Sequence, residues 1–312
     1  MNKNLIKIST VGMSHEEWLE HRSKTIGGSD ASAILGMNNY CSPYTVWAEK
    51  LGKLLPKDDN EAMRIGRDLE SYVAQRFTEK TGKKVRRENN ILCNPKYPFA
   101  HANVDRMVIG EDAGLECKTT SSLNLTKFKN GEFPDNYYVQ CVHYMMVTGC
   151  KKWYLAVLVL GKGFYDFEIE RDEEEINALA KSEADFWEYV KSKTPPAVDG
   201  TDSTTKTIST IFPNSNTETV NLFAYEDSLK QYLAIGKQIK ELENLQKEMA
   251  NKVKSFMNEA GKGESDGFRV SWTTATKSTF DHKRFANEHP DIDLTSYYNH
   301  SSYRTFKVNE KK

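Results

Sequence analysis

The sequence predicts an α/β fold with a mixed central sheet flanked by helices, followed by a C-terminal α+β appendage with a long helix. Two observations carry the first part. Apolar residues recur every three or four positions over residues 60–80 and 135–148, and they alternate or run on at strand spacing over 85–119 and 153–170. A third carries the second part. Beyond Pro195-Pro196 and the Ser/Thr-rich stretch GTDSTTKTIST, helical spacing relates Leu229, Tyr232, Leu233, Ile239, Leu242, Leu245, Met249, Val253 and Phe256. The boundaries read from this are a first domain over 1–198, a linker over 199–224 and the appendage over 225–312.

The elements follow in order. SHEEWLEHRSK (14–24) is a short helix, with Ser14 as N-cap and Glu17 at capping-box spacing. The pair Gly27-Gly28 precedes Ser29, Asp30 and an Ala-rich helix that Gly36 closes. Ser42-Pro43 opens a third helix, with Tyr44, Val46 and Trp47 facing inward. From residue 60 to about 80, Met63, Leu69, Tyr72, Val73 and Phe77 form an apolar stripe with Glu70 beside it. Strands are expected over 85–93, 100–108 and 114–119, the last two joined by the turn IGEDAG. A helix over 135–148 leads to WYLAVLVL (153–160), whose continuous apolar run suits a strand buried on both faces, and to its neighbour FYDFEIE (164–170). A helix from 173 to about 191 completes an α-β-β-β-α-β-β order. In the tail Phe268, Val270 and Trp272 alternate as a strand, and no internal repeat is evident.

Composition narrows the class. Apolar residues at 38% and charged residues at 28% suit a soluble globular protein. The N-terminus lacks a secretory signal and no apolar run approaches bilayer length, so a cytoplasmic protein with no membrane association is expected. Five cysteines without a CxxC pair or a His-x-x-x-His partner argue for free thiols, against disulfides and against zinc. A net charge of -1 offers no global pull toward nucleic acid, although Lys80, Lys83, Lys84, Arg86 and Arg87 form a local basic segment. A solvated helix end accounts for that segment equally well.

The chemistry-bearing string is HANVDRMVIGEDAGLECKTT. Glu116 and Lys118 stand two apart on one expected strand and share a face, while Cys117 points to the opposite layer. The hairpin brings Asp105 beside them. Two carboxylates and an ammonium gathered on a sheet face are costly unless something uses them. A Mg²⁺ ion does so: it takes a few carboxylate oxygens, waters and a substrate phosphate. Lys118 then orients or helps deprotonate the attacking water and offsets growing phosphorane charge. Glu70 reaches the metal directly or through water. Chance occurrence of D-x10-E-x-K in a plain hairpin is the competing account.

Five motifs in order decide between the two. TIGGSDASAILGMNNYCSPYTVW, GRDLE, ANVDRM, ECK and YYVQCVHYMMVTG closely resemble the YqaJ-like viral recombinase family, relatives of phage lambda exonuclease, over roughly residues 15–195. The resemblance implies a PD-(D/E)xK restriction-endonuclease-like core and an alkaline exonuclease that degrades one strand of duplex DNA from its 5′ end. It implies Mg²⁺, with Mn²⁺ as a substitute. By motif, Asp105, Glu116 and Lys118 are the catalytic core and Glu70 is the additional helix acid, with Asp105, Glu116 and Glu70 on the metal. Arg22 and Ser29 match the positions that hold the 5′-terminal phosphate. A guanidinium and a hydroxyl beside a Gly-Gly turn agree with that in kind, although Ser29 reads equally as a plain N-cap. Gln140 and Tyr144 match the QxxxY element that positions DNA; polar atoms satisfied inside a half-buried helix are the alternative. His143 lies elsewhere on that helix and is left out of the chemistry. Two departures stand out. The four-cysteine grouping of iron-sulphur relatives is missing, so no cluster is expected. Asn103 stands where lambda exonuclease has a phosphate-contacting serine.

The function expected is a 5′-to-3′ exonuclease acting on double-stranded DNA ends. It would make 3′ single-stranded ends for a phage single-strand annealing protein, and would work as a homo-oligomer, a toroidal trimer by resemblance. Such a protein is phage or prophage encoded and acts in the bacterial host cytoplasm. An endonuclease or single-strand nuclease on the same fold is the nearest alternative. A non-catalytic DNA-binding recombination scaffold is the alternative of another class, and the intact Asp105, Glu116 and Lys118 argue against it. The role of the appendage is not legible in its residues.

Overall fold

The computed structural model describes residues 4–55, 59–121 and 125–311. It divides into two units, Met1–Phe212 and Pro213–Lys312. The first holds β1 (Ile6–Ser9), α1 (His15–Ser23), α2 (Gly28–Ile34), α3 (Pro43–Lys50), α4 (Glu61–Thr81), β2 (Val85–Arg87), β3 (Asn90–Cys93), β4 (His101–Asn103), β5 (Arg106–Val108), β6 (Ala113–Thr120), α5 (Leu125–Lys129), α6 (Asp135–Thr148), β7 (Lys152–Val159), β8 (Gly163–Glu170), α7 (Glu173–Ser192) and α8 (Asp202–Ile211).

The main sheet has five strands in the order β2-β5-β6-β7-β8. It is mixed: β6 and β7 run parallel, and the other neighbours are antiparallel. A parallel pair needs a long crossover, which the segment carrying α5 and α6 supplies. The side chains of β7 alternate between two cores. Trp153, Leu155, Val157 and Val159 join Val142, Met145 and Met146 of α6, whereas Tyr154 and Ala156 join Val73, Ala74 and Phe77 of α4. This strand is therefore covered on both faces, as its unbroken apolar run predicts.

Two expected strands differ from the reading. Residues 85–93 and 100–108 each break in the middle, and their facing halves join β1 in a separate antiparallel sheet, β1-β3-β4. An acidic side chain stands at each break. Glu88 accepts from Arg86 at 2.9 Å, and Asp105 accepts from the backbone N–H of Cys117 at 2.8 Å. In α4 the buried positions are Val73, Ala74 and Phe77, whereas Met63 and Tyr72 of the expected stripe are 45% and 43% exposed.

The Ser/Thr-rich stretch contains a helix where its composition suggests a linker. Hydroxyls explain this: Thr204 donates to Ser42 Oγ at 2.7 Å, and Thr207 Oγ1 lies 2.8 Å from Thr45 Oγ1, so α8 is fastened to the capped start of α3. The first unit accordingly runs to Phe212.

The second unit contains the long helix α9 (Glu226–Met257), the hairpin β9 (Lys262–Glu264) and β10 (Arg269–Ser271), and α10 (His282–Glu288). The apolar row of α9, from Tyr232 through Ile239, Leu242 and Met249 to Phe256, is half or more exposed. No helix of the described residues is long and apolar enough to cross a membrane.

Candidate active site

The β5–β6 register pairs Arg106 with Leu115, which sets Asp105 opposite Glu116 just where the ladder ends. There the Asp105 carboxylate takes the Cys117 N–H that a backbone carbonyl would otherwise accept. Glu116 and Lys118 share a face of β6, and Cys117 packs on the opposite side among the α4 residues. The sheet thus brings Asp105, Glu116 and Lys118 together as the sequence predicts.

The α6 side closes over them. Every residue from Val139 to Thr148 is buried, so the polar groups of this helix need partners inside. Gln140 finds three. Its amide nitrogen donates to Glu116 Oε1 at 2.8 Å and to Tyr144 Oη at 2.7 Å, and its Oε1 accepts from Lys118 Nζ at 2.9 Å. The amide orientation is fixed by chemistry, because an ammonium needs an acceptor and a carboxylate needs a donor. Lys118 Nζ also stands 2.6 Å from Glu116 Oε1 and over the ring of Tyr137, 5.3 Å from its centroid.

The electrostatics are those of a crowded acidic centre. Burial, reinforced by the Glu116 and Glu70 carboxylates, holds Asp105 well above the usual carboxylate range. For Lys118, burial pulls the pKa down, but Glu116 and Asp105 outweigh it and the group is a firm ammonium. Burial, with the same two acids, also pushes the Tyr144 phenol well up. One oxygen is left over: Glu116 Oε2 is buried with no hydrogen-bond partner. A buried lone carboxylate oxygen beside a second carboxylate is the donor set a hard divalent cation takes, so Asp105 and Glu116 fit Mg²⁺.

Glu70 stands close enough to Asp105 to raise its pKa. It is engaged by the guanidinium of Arg106, which also donates to the Asp105 carbonyl at 2.7 Å. Strand alternation is the cause: Arg106 follows Asp105 and so points to the α4 layer, where it meets Glu70 first. Among the described residues no three His, Cys, Asp or Glu side chains form a ready-made metal cluster.

Arg22 and Ser29 of the second predicted group meet. Arg22 Nη2 donates to Ser29 Oγ at 2.8 Å, and the guanidinium lies over the ring of Trp18. Ser29 is not the N-cap: that place is Gly27, whose N–H goes to Asp30 Oδ2 at 2.9 Å. The Ser29 hydroxyl is therefore turned to Arg22. The turn abuts the acidic centre, since a Cβ on Gly28 would come within 2.6 Å of Tyr144 and 3.2 Å of Gln140. Asn103 lies on β4 opposite Ile91, and among the described residues no hydrogen bond links it to Arg22 or Ser29.

Three supporting residues escaped the sequence reading. Arg106 is one. Asp30 and Lys50 are the others: Lys50, its side chain 5% exposed, donates to Asp30 Oδ2 and to the Arg22 carbonyl, both at 2.7 Å. Burial would raise Asp30, but Lys50 and Arg22 hold its pKa well below the usual range. His143 is structural. Its Nδ1 pairs with buried Glu183 and its Nε2 with the His101 carbonyl, at 2.7 and 2.8 Å, which ties α6 to α7 and β4.

Comparison with known proteins agrees with this architecture. Residues 17–151 match the model of the YqaJ-like viral recombinase domain. The uncharacterized protein YqaJ of Bacillus subtilis (strain 168) is 38% identical over 304 residues, covering 96% of this chain and 95% of that protein. Among solved structures, the alkaline exonuclease LHK-Exo from Laribacter hongkongensis is similar at 19% identity with a TM-score of 0.48. LHK-Exo in complex with dAMP is similar at 21% identity with a TM-score of 0.50, over 57% of this chain and 93% of that one. The last likeness shows a shared fold. With the relative matched over nearly its whole length and the domain model matched across α1 to α6, the chain belongs to the YqaJ-like viral recombinase family.

Proposed function

We propose that this protein is a Mg²⁺-dependent deoxyribonuclease that digests linear duplex DNA from the 5′ end. The observation that carries the reading is the joining of two side-chain groups of opposite charge preference: Asp105 and Glu116, with an unpaired buried oxygen, adjoin the Arg22–Ser29 pair through Gln140, Tyr144 and Gly28. When bound, the metal supplies a Lewis acid for the scissile phosphate and an activated water. Asp105 and Glu116 hold it. Lys118, held as an ammonium by Glu116 and Asp105, would orient the attacking water and offset charge that develops on the phosphate. Gln140 keeps Lys118 and Glu116 in register. Arg22 and Ser29 grip the 5′-terminal phosphate, the guanidinium by charge and the hydroxyl by a hydrogen bond.

The product of that polarity is a 3′ single strand, the substrate of a phage-type annealing protein. Assembly as a trimeric ring belongs to the same reading and rests on resemblance. A strand-resolved digest of end-labelled duplex tests the proposal, with Mg²⁺ and with EDTA, on 5′-phosphate and 5′-hydroxyl ends. Loss of label from the 5′-phosphorylated strand first, only with Mg²⁺, is expected. Equal cutting of a covalently closed circle would overturn the exonuclease assignment.

A further inference from the structure

We propose that Lys50 is a positioning residue for the terminal phosphate: by occupying Asp30 from behind, it leaves the Arg22 guanidinium open to an anion. The inference rests on the reading that Arg22 and Ser29 grip a 5′-phosphate, and adds the residue that keeps that grip open. Two cations face one buried carboxylate. Lys50 Nζ lies 2.7 Å from Asp30 Oδ2, whereas Arg22 Nη2 stands 3.7 Å from Asp30 Oδ1 and gives its hydrogen bond to the neutral Ser29 hydroxyl at 2.8 Å. Burial alone would raise the Asp30 carboxyl; Lys50 first and Arg22 second hold it well below the usual range.

The two cations are placed differently, as the two roles need. The Arg22 side chain is 30% exposed and that of Lys50 only 5%, so an incoming phosphate meets the guanidinium and not the ammonium. Lys50 is the last residue of α3, and its ammonium also donates to the Arg22 carbonyl at 2.7 Å, which fastens the end of α1 to α2. Asp30 Oδ2, which Lys50 holds, takes the Gly27 N–H as well and so closes the turn that carries Ser29. The neighbouring His101 cannot stand in for Lys50, because burial and then Lys50 itself push its pKa down to about 3. Without Lys50 the buried carboxylate would draw the guanidinium to itself, since a charge left in the core without a partner is costly. A phosphate would then have to displace Asp30 from Arg22.

Equilibrium binding of the full chain tests this in EDTA, where no strand is cut. Fluorescence anisotropy gives the Kd of a short duplex with 5′-phosphate ends and of the same duplex with 5′-hydroxyl ends, and the ratio of the two is the quantity read. The wild type should favour the phosphate. Lys50→Met should cut that preference about tenfold or more, the worth of one charge-assisted hydrogen bond, and leave the 5′-hydroxyl duplex within about threefold. The double variant Lys50→Met, Asp30→Asn removes the competing carboxylate too, and should bring the preference back to within about threefold of the wild type. A purely structural role would weaken both duplexes alike. A preference kept by Lys50→Met, a loss shared equally by the two duplexes, or a double variant without the preference would each overturn the inference. Should Lys50→Met fail to fold, Lys50→Gln, whose amide can still donate to Asp30 and to the Arg22 carbonyl, carries the same expectation and the same refutation. A wild type that binds both duplexes equally would sink the 5′-phosphate reading itself.

Discussion

The amide nitrogen of Gln140 donates to Glu116 Oε1 at 2.8 Å, in the same amide whose oxygen receives Lys118. The helix α6 thereby clamps two residues of β6 that it does not itself contain.

Gln140→Leu should keep the volume and break the clamp. Activity on linear duplex should fall roughly 10–100-fold through kcat, with KM little changed, because the lost contact orients groups that act at the reacting centre. Circular dichroism and a melting curve check that the fold is kept.

Lys118→Ala should lower kcat by about a hundredfold or more, the usual cost of removing one donor from a developing anion. Lys118→Arg should not restore it, since a planar guanidinium cannot fill the place of a compact ammonium between Glu116, Gln140 and the Tyr137 ring. A Lys118→Ala protein with full cleavage would refute the assignment.

Gly28→Ala should destabilise the first unit by roughly 1–3 kcal/mol, because the added methyl would meet Tyr144 at 2.6 Å in a full core. Urea unfolding at neutral pH measures this. Tyr144→Phe should not relieve it, since the clash is with the ring.

Asp30 sets an acid limit on stability. Its folded pKa lies below the ordinary 3.8, so its contribution is complete above that value and disappears as pH falls through the folded one. Asp30→Asn should cost about 3–5 kcal/mol at pH 7, because it strands the buried Lys50 charge. The gap between the two proteins should stay level down to about pH 4 and narrow below it.

Saturating Mg²⁺ should raise the melting temperature by several degrees, as any ligand of the native state does at a hundred times its Kd, about 2.7 kcal/mol. EDTA should leave the protein folded, because Lys118 and Arg106 already counter the carboxylates. Glu116→Gln should abolish the Mg²⁺ shift.

Much of this was legible in the residues. Alternation of period two put Glu116 and Lys118 on one face, and the capping spacing of Ser14 and Glu17 placed α1, whose box is closed in both directions. The fold class and the places of α4, α6, β7, β8 and α7 follow from the same periodicities, whereas β1 and α5 do not. What stayed hidden depends on contacts between distant segments. The partner of Glu70 is decided by Arg106, 36 positions later, and the partner of Asp30 by Lys50 on another helix. The division of residues 85–93 and 100–108 between two sheets depends on which distant strands pair with each half, which no local pattern records. Ser and Thr in α8 look like a linker because their hydroxyls carry no periodic signal until α3 stands opposite them.

The packing of Gly28 on Tyr144 has an implication for how such an enzyme would advance along its substrate. With no space there for even a methyl group, the turn that carries Ser29 and the helix whose Gln140 holds Glu116 and Lys118 share one closely packed wall. Their spacing is a property of the protein and not of the strand in it, so on the proposed reading each catalytic round would release a fragment of the same size whatever the bases.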